Sequence, residues 1–307
     1  MQAPTLPPNL SIFERGWLSS NNILICGDDA CALIDSGYVS HAPQTLALVQ
    51  AALQGRPLDV LVNTHLHSDH CGGNVALQSA YPALITHIPP GQARHVENWD
   101  PHALTYTPTG QRCPQFRFDA LLQPGSELLL GEQRWQVHAA PGHDPHSVIL
   151  FEPASRTLIS ADALWQRGFG VVFPELEGLD AFDAVGKTID LIESLAPQVV
   201  IPGHGSAFDC VEQSIAVARA RLDSFVTQPD KHVSYAAKVL LKFKLLEVQT
   251  IALDDFIAWA CATPYFSTIF QRHFPALDFR HGIEQLIGDL VKSGAAARDG
   301  VMVRNAG

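Results

Sequence analysis

The stretch from Asn63 to Gly73 holds the densest chemistry in the sequence. It reads Asn-Thr-His-Leu-His-Ser-Asp-His-Cys-Gly-Gly, so four side chains that commonly bind metals fall within six residues. Those four are His65, His67, Asp69 and His70. The apolar run before them predicts a strand, and a tight loop after a strand end would direct alternate imidazoles toward one point. Because buried imidazoles and carboxylates need partners, the cluster indicates a metal site rather than core packing.

Three later segments also place a polar residue directly after a predicted strand. His143 lies in Pro-Gly-His, Asp162 follows the apolar residues 158–161, and His204 lies in Pro-Gly-His-Gly after residues 199–201. A lone Gly-His after a strand is a weak signal. Together with the first cluster, however, these residues mark the carboxyl ends of several strands, where open α/β sheets build their sites. Imidazole and carboxylate ligands suit zinc, and also manganese or iron.

Hydrophobic periodicity predicts the elements that position these residues. The predicted strands are 22–26, 30–35, 60–63, 84–87, 135–139, 148–152, 157–160 and 199–202. The predicted helices of the same region are 42–53 and 180–195. Strands that alternate with helices indicate an α/β layered fold.

The pattern changes after Cys210. The predicted helices there are 214–225, 234–247, 253–261, 267–274 and 282–292, and residues 296–304 predict a hairpin that turns at Asp299-Gly300. We therefore expect two domains, 1–210 and 211–307, the second of them small and mostly helical.

The order and spacing of these motifs resemble the metallo-β-lactamase-fold hydrolase superfamily. The segment Ala-Leu-Ile-Asp-Ser-Gly at 32–37 is also similar to that family's first strand and turn, and the resemblance spans about residues 20–210. It implies a four-layer αββα sandwich with a dinuclear metal site at one edge of two sheets. The C-terminal domain resembles the winged-helix or helical appendages of some members.

The resemblance also implies a ligand set and roles. His65, His67 and His143 would bind one divalent ion, Asp69, His70 and His204 a second, and Asp162 would bridge both. Zinc is the expected metal, with iron or manganese as alternatives. A hydroxide between two such ions would attack the substrate, and Asp69 would orient it or accept a proton. His146 is a further candidate, as a substrate contact or a proton donor.

Two loops are the candidates for the substrate pocket. One is the irregular stretch 89–118, which carries Trp99; the other follows Asp162 and carries Trp165, Arg167 and Phe169. Aromatic side chains there would suit an apolar substrate arm, although capping of the core is an equally good interpretation. Arg167 would meet a substrate carboxylate or phosphate.

Composition limits the class of protein. Of 307 residues, 47% are apolar and 17% charged, which excludes a disordered chain. No apolar run approaches the ~20 residues of a membrane span, and the first 13 residues resemble no secretory signal. The six cysteines include no Cys-x-x-Cys pair, so we expect reduced thiols and a cytoplasmic protein. Residues 1–210 hold 9 Lys/Arg against 21 Asp/Glu, so a small-molecule substrate is expected, without a nucleic-acid or membrane partner.

Three functional hypotheses follow. The first is a metal-dependent hydrolase of a small ester, thioester or lactone. The second is a phosphodiesterase or endoribonuclease acting on nucleic acid, which depends on the winged-helix-like tail alone. The third is a ligand-sensing protein with little catalysis. The amphipathic tail helices would bury their apolar faces internally or in a homodimer.

Overall fold

Two β-sheets form the centre of the molecule, whose computed structural model describes residues 4–306. Within those residues the first sheet has the order β1-β2-β3-β4-β5-β6 and the second the order β11-β10-β9-β8-β7. The strands of the first sheet are β1 (Leu10–Phe13), β2 (Asn22–Cys26), β3 (Cys31–Ile34), β4 (Val60–Val62), β5 (Ile85–Ile88) and β6 (Ala120–Leu121). Those of the second are β7 (Glu127–Leu130), β8 (Gln133–Ala139), β9 (Val148–Glu152), β10 (Thr157–Ala161) and β11 (Val199–Pro202).

Helices cover the outer face of each sheet and form the C-terminal part of the chain. Those associated with the first sheet are α1 (Ala42–Leu53), α2 (Ser68–Cys71), α3 (Asn74–Ala80), α4 (Ala93–Glu97) and α5 (Tyr106–Thr109). Next come α6 (Phe173–Leu176), α7 (Phe182–Leu195) and α8 (Val211–Thr227). The C-terminal helices are α9 (Pro229–Val248), α10 (Leu253–Ala262), α11 (Pro264–His273) and α12 (Phe279–Lys292).

The layers follow from the alternation of side chains along each strand. On β3, Ile34 packs between the two sheets, whereas its neighbour Leu33 packs outward against α1 and α3. The second sheet does the same: Ile159 faces the first sheet, and Leu158 packs toward α7 and α8. Both faces of each sheet are therefore buried. The resulting four-layer αββα sandwich confirms the predicted fold class.

The C-terminal region has its own apolar core. Phe256 of α10, Phe266 of α11 and Ile283 of α12 pack against the buried side of α9. A three-stranded antiparallel sheet completes it, formed by β12 (Thr250–Ala252), β13 (Ala296–Asp299) and β14 (Met302–Asn305). Helix α8 packs instead against α7 in the outer layer of the second sheet. The boundary at residue 210 stays a prediction.

The elements match the periodicity closely where apolar runs are long. Strands β2, β9 and β11 and helix α1 have the predicted bounds. Sequence analysis missed four short strands, β1, β6, β7 and β12, whose two to four residues give too little alternation to detect. The stretch 89–118, expected to be irregular, contains α4 and α5. No helix among the described residues is long and apolar enough to cross a membrane.

One prediction about the cysteines is wrong. Cys26 and Cys31 are joined by a disulfide, while the remaining four cysteines are free. The two are register partners across the antiparallel pair β2 and β3, so their side chains face each other although five positions separate them in sequence. Their spacing in sequence did not predict a disulfide, because it fits no common disulfide framework.

Candidate metal centre

Strand direction explains why residues from distant parts of the chain meet. In the second sheet β8 and β10 are both antiparallel to β9, and β10 is parallel to β11, so β8, β10 and β11 run in one direction. Their carboxyl ends therefore lie at one edge, which carries His143, Asp162 and His204. Asn21 connects the sheets there: its backbone N–H donates to the carbonyl of Gly203 at 2.7 Å.

His65, His67 and His143 form one half of the site. His65 and His67 follow β4, and ligand atoms of both lie within 4.8 Å of each other and of one from His143. Nδ1 of His67 is 2.8 Å from Nε2 of His143. Three converging imidazole nitrogens are a suitable set for one divalent ion such as zinc.

Asp69, His70 and His204 form the other half. Asp69 and His70 lie on the short helix α2, which begins directly after His67. Oδ2 of Asp69 is 3.2 Å from Nε2 of His204 and 3.9 Å from Nε2 of His70. This group mixes two imidazoles with a carboxylate, again a donor set that suits zinc, iron or manganese.

Asp162 lies between the two halves and contacts both. Its Oδ2 is 3.4 Å from Nε2 of His143, whereas its Oδ1 is 3.5 Å from Nε2 of His70 and 3.8 Å from Nε2 of His204. The two oxygens of one carboxylate thus face different groups of imidazoles. All seven residues predicted as ligands are therefore brought together at this edge.

The far side of three buried imidazoles, those of His65, His70 and His143, is fixed by a hydrogen-bond acceptor. Nδ1 of His70 donates to Asp35 at 2.7 Å, and Nδ1 of His143 donates to the carbonyl of Val171 at 2.6 Å. His65 is held through Thr64, whose hydroxyl lies 3.1 Å from Nδ1 of His65 and donates to Asp35 at 2.8 Å. Such contacts set the ring orientation and leave Nε2 free for a metal.

Two nitrogen atoms show that the cluster fits a cation. Nε2 of His65 and Nε2 of His70 are buried and have no hydrogen-bond partner. An unsatisfied buried polar group costs about 1–3 kcal/mol, and here both atoms face carboxylate or imidazole ligands rather than apolar side chains. The donor set and its unpartnered nitrogens are thus what a bound divalent metal would complete.

Burial and charge prepare the groups differently in the two halves. Burial lowers the pKa of His65 well below its ordinary value, and it lowers the pKa of His143 to about 4 with help from His67. Both imidazoles are therefore neutral, the form that binds metal. Burial also acts to lower the pKa of His70, but Asp35 and Asp162 outweigh it and raise that pKa well above its ordinary value. The second half therefore attracts positive charge.

Two glycines allow the backbone to approach the ligands. A Cβ atom at Gly203 would lie 2.3 Å from Oδ1 of Asp162, and one at Gly170 would lie 2.4 Å from Nδ1 of His143. Neither distance is compatible with a side chain. The absence of a Cβ here is required by close approach, not by an unusual backbone angle.

A cavity of about 260 Å³ opens above the cluster. Sequence analysis missed most of its apolar wall, which comes from four separate segments. These residues are Trp17, Phe173, Tyr235, Val239, Phe243 and Tyr265. Only the amphipathic pattern of the predicted helix 234–247 gave a signal, and that pattern fits burial of its apolar face internally or in a homodimer.

Two of the predicted non-ligand residues line this cavity. Trp165 does so, and its Nε1 donates to Oδ1 of Asp162 at 3.2 Å. His146 also lines it; its ring is exposed and packs over Gly91. The backbone N–H of His146 donates to Asp144, whose other oxygen is 3.7 Å from Nε2 of His67.

The other three predicted pocket residues lie elsewhere. Trp99 packs beside Tyr106 and Phe116 in a small core under its own loop. Phe169 is buried in the core between the second sheet and α7 and α8. Arg167 is exposed and is not among the residues that line the cavity. The side chains of Trp99 and Phe169 turn inward, because aromatic residues on a loop pack into a core as readily as they turn toward a site.

Comparison with known proteins agrees with this geometry. The family model described as Metallo-beta-lactamase superfamily matches residues 15–204, well over half of the chain. The chain belongs to this superfamily. The matched region contains all seven clustered ligand residues, whereas α8 to α12 lie beyond it.

The relatives within the superfamily include hydrolases. Human acyl-coenzyme A thioesterase MBLAC2 is 27% identical over 221 residues, covering 64% of this chain and 78% of that protein. Hydroxyacylglutathione hydrolase of Brucella anthropi is 26% identical over 220 residues, covering 71% of each. The crystal structure of TTHA1623 in a di-iron-bound form is 27% identical with a TM-score of 0.53, covering 69% of this chain and 98% of that one.

Proposed function

We propose that this protein is a dinuclear metal-dependent hydrolase of a small thioester or ester, with lactones as further candidates. The observation that carries the proposal is the position of Asp162, whose two oxygens face different histidine groups. A carboxylate so placed would bridge two ions. The relatives named for thioesterase and hydroxyacylglutathione hydrolase activity support hydrolysis of an activated acyl group.

The metals would be held by the residues already described, with zinc the expected ion and iron an alternative supported by the di-iron relative. When bound, two such ions supply a water of lowered pKa and an electrophilic centre for the substrate's carbonyl oxygen. The chain's own residues position these participants. Asp35 fixes His70 directly and His65 through Thr64, so that ligands of both halves keep their orientation.

Asp69 is the proposed proton acceptor. Burial acts to raise its pKa, but His70 and His204 outweigh that effect and lower the pKa, so the carboxylate is charged at neutral pH. It lines the cavity with one face, where it would orient the attacking water and take its proton. His146, which lines the same cavity, would contact the leaving group.

The C-terminal region would close the substrate site. Its order of helix, strand, three helices and hairpin supports the assignment of a winged helix with one additional helix. Tyr235, Val239 and Phe243 of α9 face the metal cluster across the cavity. We propose that this region serves as the wall of an apolar pocket and not as a nucleic-acid reader.

Metal content and turnover test the proposal together. We would measure metals in the purified protein by elemental analysis and assay a panel of esters, thioesters and lactones. The expected result is close to two divalent ions per chain and turnover of at least one thioester or ester. Asp162→Ala should lower metal content and reduce kcat/KM at least 100-fold. Asp209→Ala, an exposed acid five residues from His204, is the matched control and should behave as wild type.

Two outcomes would overturn it. A single ion per chain that does not change in Asp162→Ala would reject the bridging role. Two ions without turnover of any panel member would reject the hydrolase assignment and favour ligand sensing.

A further inference from the structure

A second cavity adjoins the one above the metal cluster. It has a volume of about 360 Å³ and shares Trp17, Trp165, Tyr235, Val239 and Phe243 with the first. The remaining lining residues, among them Leu246, Leu290 and Ser293, line only the second cavity and so mark its far end. The two cavities thus form one continuous groove, which runs from the ligands to the carboxyl end of α12.

Helix α9 has a second apolar stripe that the C-terminal core covers only in part. Leu240, Leu241 and Leu245 are fully buried in that core. Tyr235, Val239, Phe243 and Leu246 recur at helical spacing on another side, and they are only half buried. This stripe forms the floor of the groove.

The opposite wall is aromatic and is attached to the metal cluster. Trp17 is 56% exposed, which is unusual for so large an apolar side chain, and its ring stacks on His204 at 5.3 Å. Trp165 meets Trp17 edge to face at 5.3 Å while its Nε1 donates to Asp162. A ligand that covered Trp17 would therefore gain apolar burial directly beside the reacting centre.

Two lysines, Lys238 and Lys242, line the second cavity, and the ammonium of Lys242 is bound within the protein. Nζ of Lys242 donates to the carbonyls of Ala295 and Ala306 and to Oδ1 of Asn305. With its ammonium occupied in this way, Lys242 offers the groove its methylene stem. No carboxylate of the described residues lines this second cavity.

We propose that this groove binds a straight aliphatic chain of the substrate, attached to the carbonyl that is cleaved or to its leaving group, and so sets chain-length specificity. The inference rests on the proposed function, since that function supplies the carbonyl. The volume lies within the range of small-molecule sites, and continuity with the metal cluster identifies the occupant as part of the substrate.

Chain-length dependence is the first test. Burial of one methylene corresponds to roughly a fourfold change in an equilibrium constant. In p-nitrophenyl esters from acetate to dodecanoate, kcat/KM should rise by up to about that factor per carbon and then level off. A parallel series of alkyl thioacetates reveals whether the chain belongs to the acyl or the leaving group. A flat response in both series would overturn the proposal.

A matched pair of variants locates the effect. Ser293 and Ser194 both lie at or near a helix carboxyl end, and each hydroxyl donates to the carbonyl three residues before it. Ser293→Trp places an indole at the far end of the groove and should lower the dodecanoate-to-acetate ratio of kcat/KM at least tenfold. Ser194→Trp, on α7 and outside the groove, should keep the wild-type ratio.

Direct binding separates this inference from the proposed function. Decan-1-ol, which has no scissile bond, is titrated calorimetrically into the metal-loaded enzyme. We expect decan-1-ol to bind wild type and Ser194→Trp, and to bind Ser293→Trp and Trp17→Ala at least tenfold more weakly. That result would support chain binding in the groove even if no ester were hydrolysed. Equal affinity in all four proteins, or no binding to wild type, would overturn it even if esters were hydrolysed.

Discussion

Asp35 accepts a hydrogen bond from Nδ1 of His70 at 2.7 Å while also accepting one from the hydroxyl of Thr64. Asp35 directly follows β3 and has a left-handed backbone, with φ of 57°. One carboxylate outside the ligand set therefore orients ligands in both halves of the cluster. It is 2% exposed, so water does not replace these contacts.

Loss of this carboxylate should weaken metal binding. In Asp35→Asn the amide would present an N–H or a neutral oxygen to His70, so the imidazole would lose its charged acceptor. Removing such an outer contact typically lowers metal affinity 10–100-fold. Competition with a chelator measures the affinity. Asp59→Asn is the control, because Asp59 caps the backbone N–H of Cys31 in the same sheet away from the ligands; equal losses in the two variants would contradict the role of Asp35.

Gly203 should tolerate no side chain. A Cβ there would lie 2.3 Å from Asp162 and 3.0 Å from Cε1 of His70, so Gly203→Ala should displace both ligands. We expect at least a tenfold loss of metal affinity and a lower Tm. Gly288→Ala is the control, since a Cβ at that position of α12 meets nothing within 4 Å. That variant should gain about 0.5–1 kcal/mol of stability from helix propensity. A Gly203→Ala protein with unchanged metal affinity would contradict the role of this close approach.

His232 should make the fold sensitive to acid. Burial, followed by the charges of Arg221 and His273, lowers its pKa from 6.5 to about 4. Between these two pKa values the unfolded chain binds more protons than the folded one. The free energy of unfolding therefore keeps its full value above pH 6.5 and falls as the pH drops toward 4. The loss amounts to about 3 kcal/mol.

The measurement is urea unfolding of EDTA-treated protein at pH 7 and pH 4. His232→Gln has no titrating group but keeps an acceptor for the backbone N–H of Val172. Its stability should fall about 3 kcal/mol less than that of wild type between the two pH values. Parallel losses in both proteins would show that His232 is not the responsible group.

Thiol counting tests the pairing of Cys26 with Cys31. Unfolded in the absence of reductant, the protein should react with four equivalents of a thiol reagent, and after reduction with six. The double variant Cys26→Ser/Cys31→Ser should give four in both conditions. Because the closed loop is short, the bond should contribute about 2 kcal/mol to stability. Six reactive thiols without reductant would contradict the pairing.

Sequence reasoning reached the ligands but not the substrate wall, for physical reasons. His65, Asp162 and their partners each follow a strand, so local pattern and strand direction are enough to bring them to one edge. Trp17 and Phe243 line the same cavity although more than 200 residues separate them, and no local sequence pattern encodes the packing that brings their regions together. The prediction that Trp99 lines the pocket fails for a related reason. The backbone of Trp99 has a φ of 45°, and the direction of its ring depends on that conformation.

The division of the ligands between the sheets also has a kinetic consequence. His65, His67, Asp69 and His70 follow a strand of the first sheet, whereas His143, Asp162 and His204 follow strands of the second. Each sheet carries only part of the ligand set, so complete metal uptake during refolding must wait until the sheets dock and Asn21 reaches Gly203. Bound ions would then hold the two sheets together at the edge that carries the ligands. The metal-free protein should therefore exchange its amide hydrogens fastest along this edge.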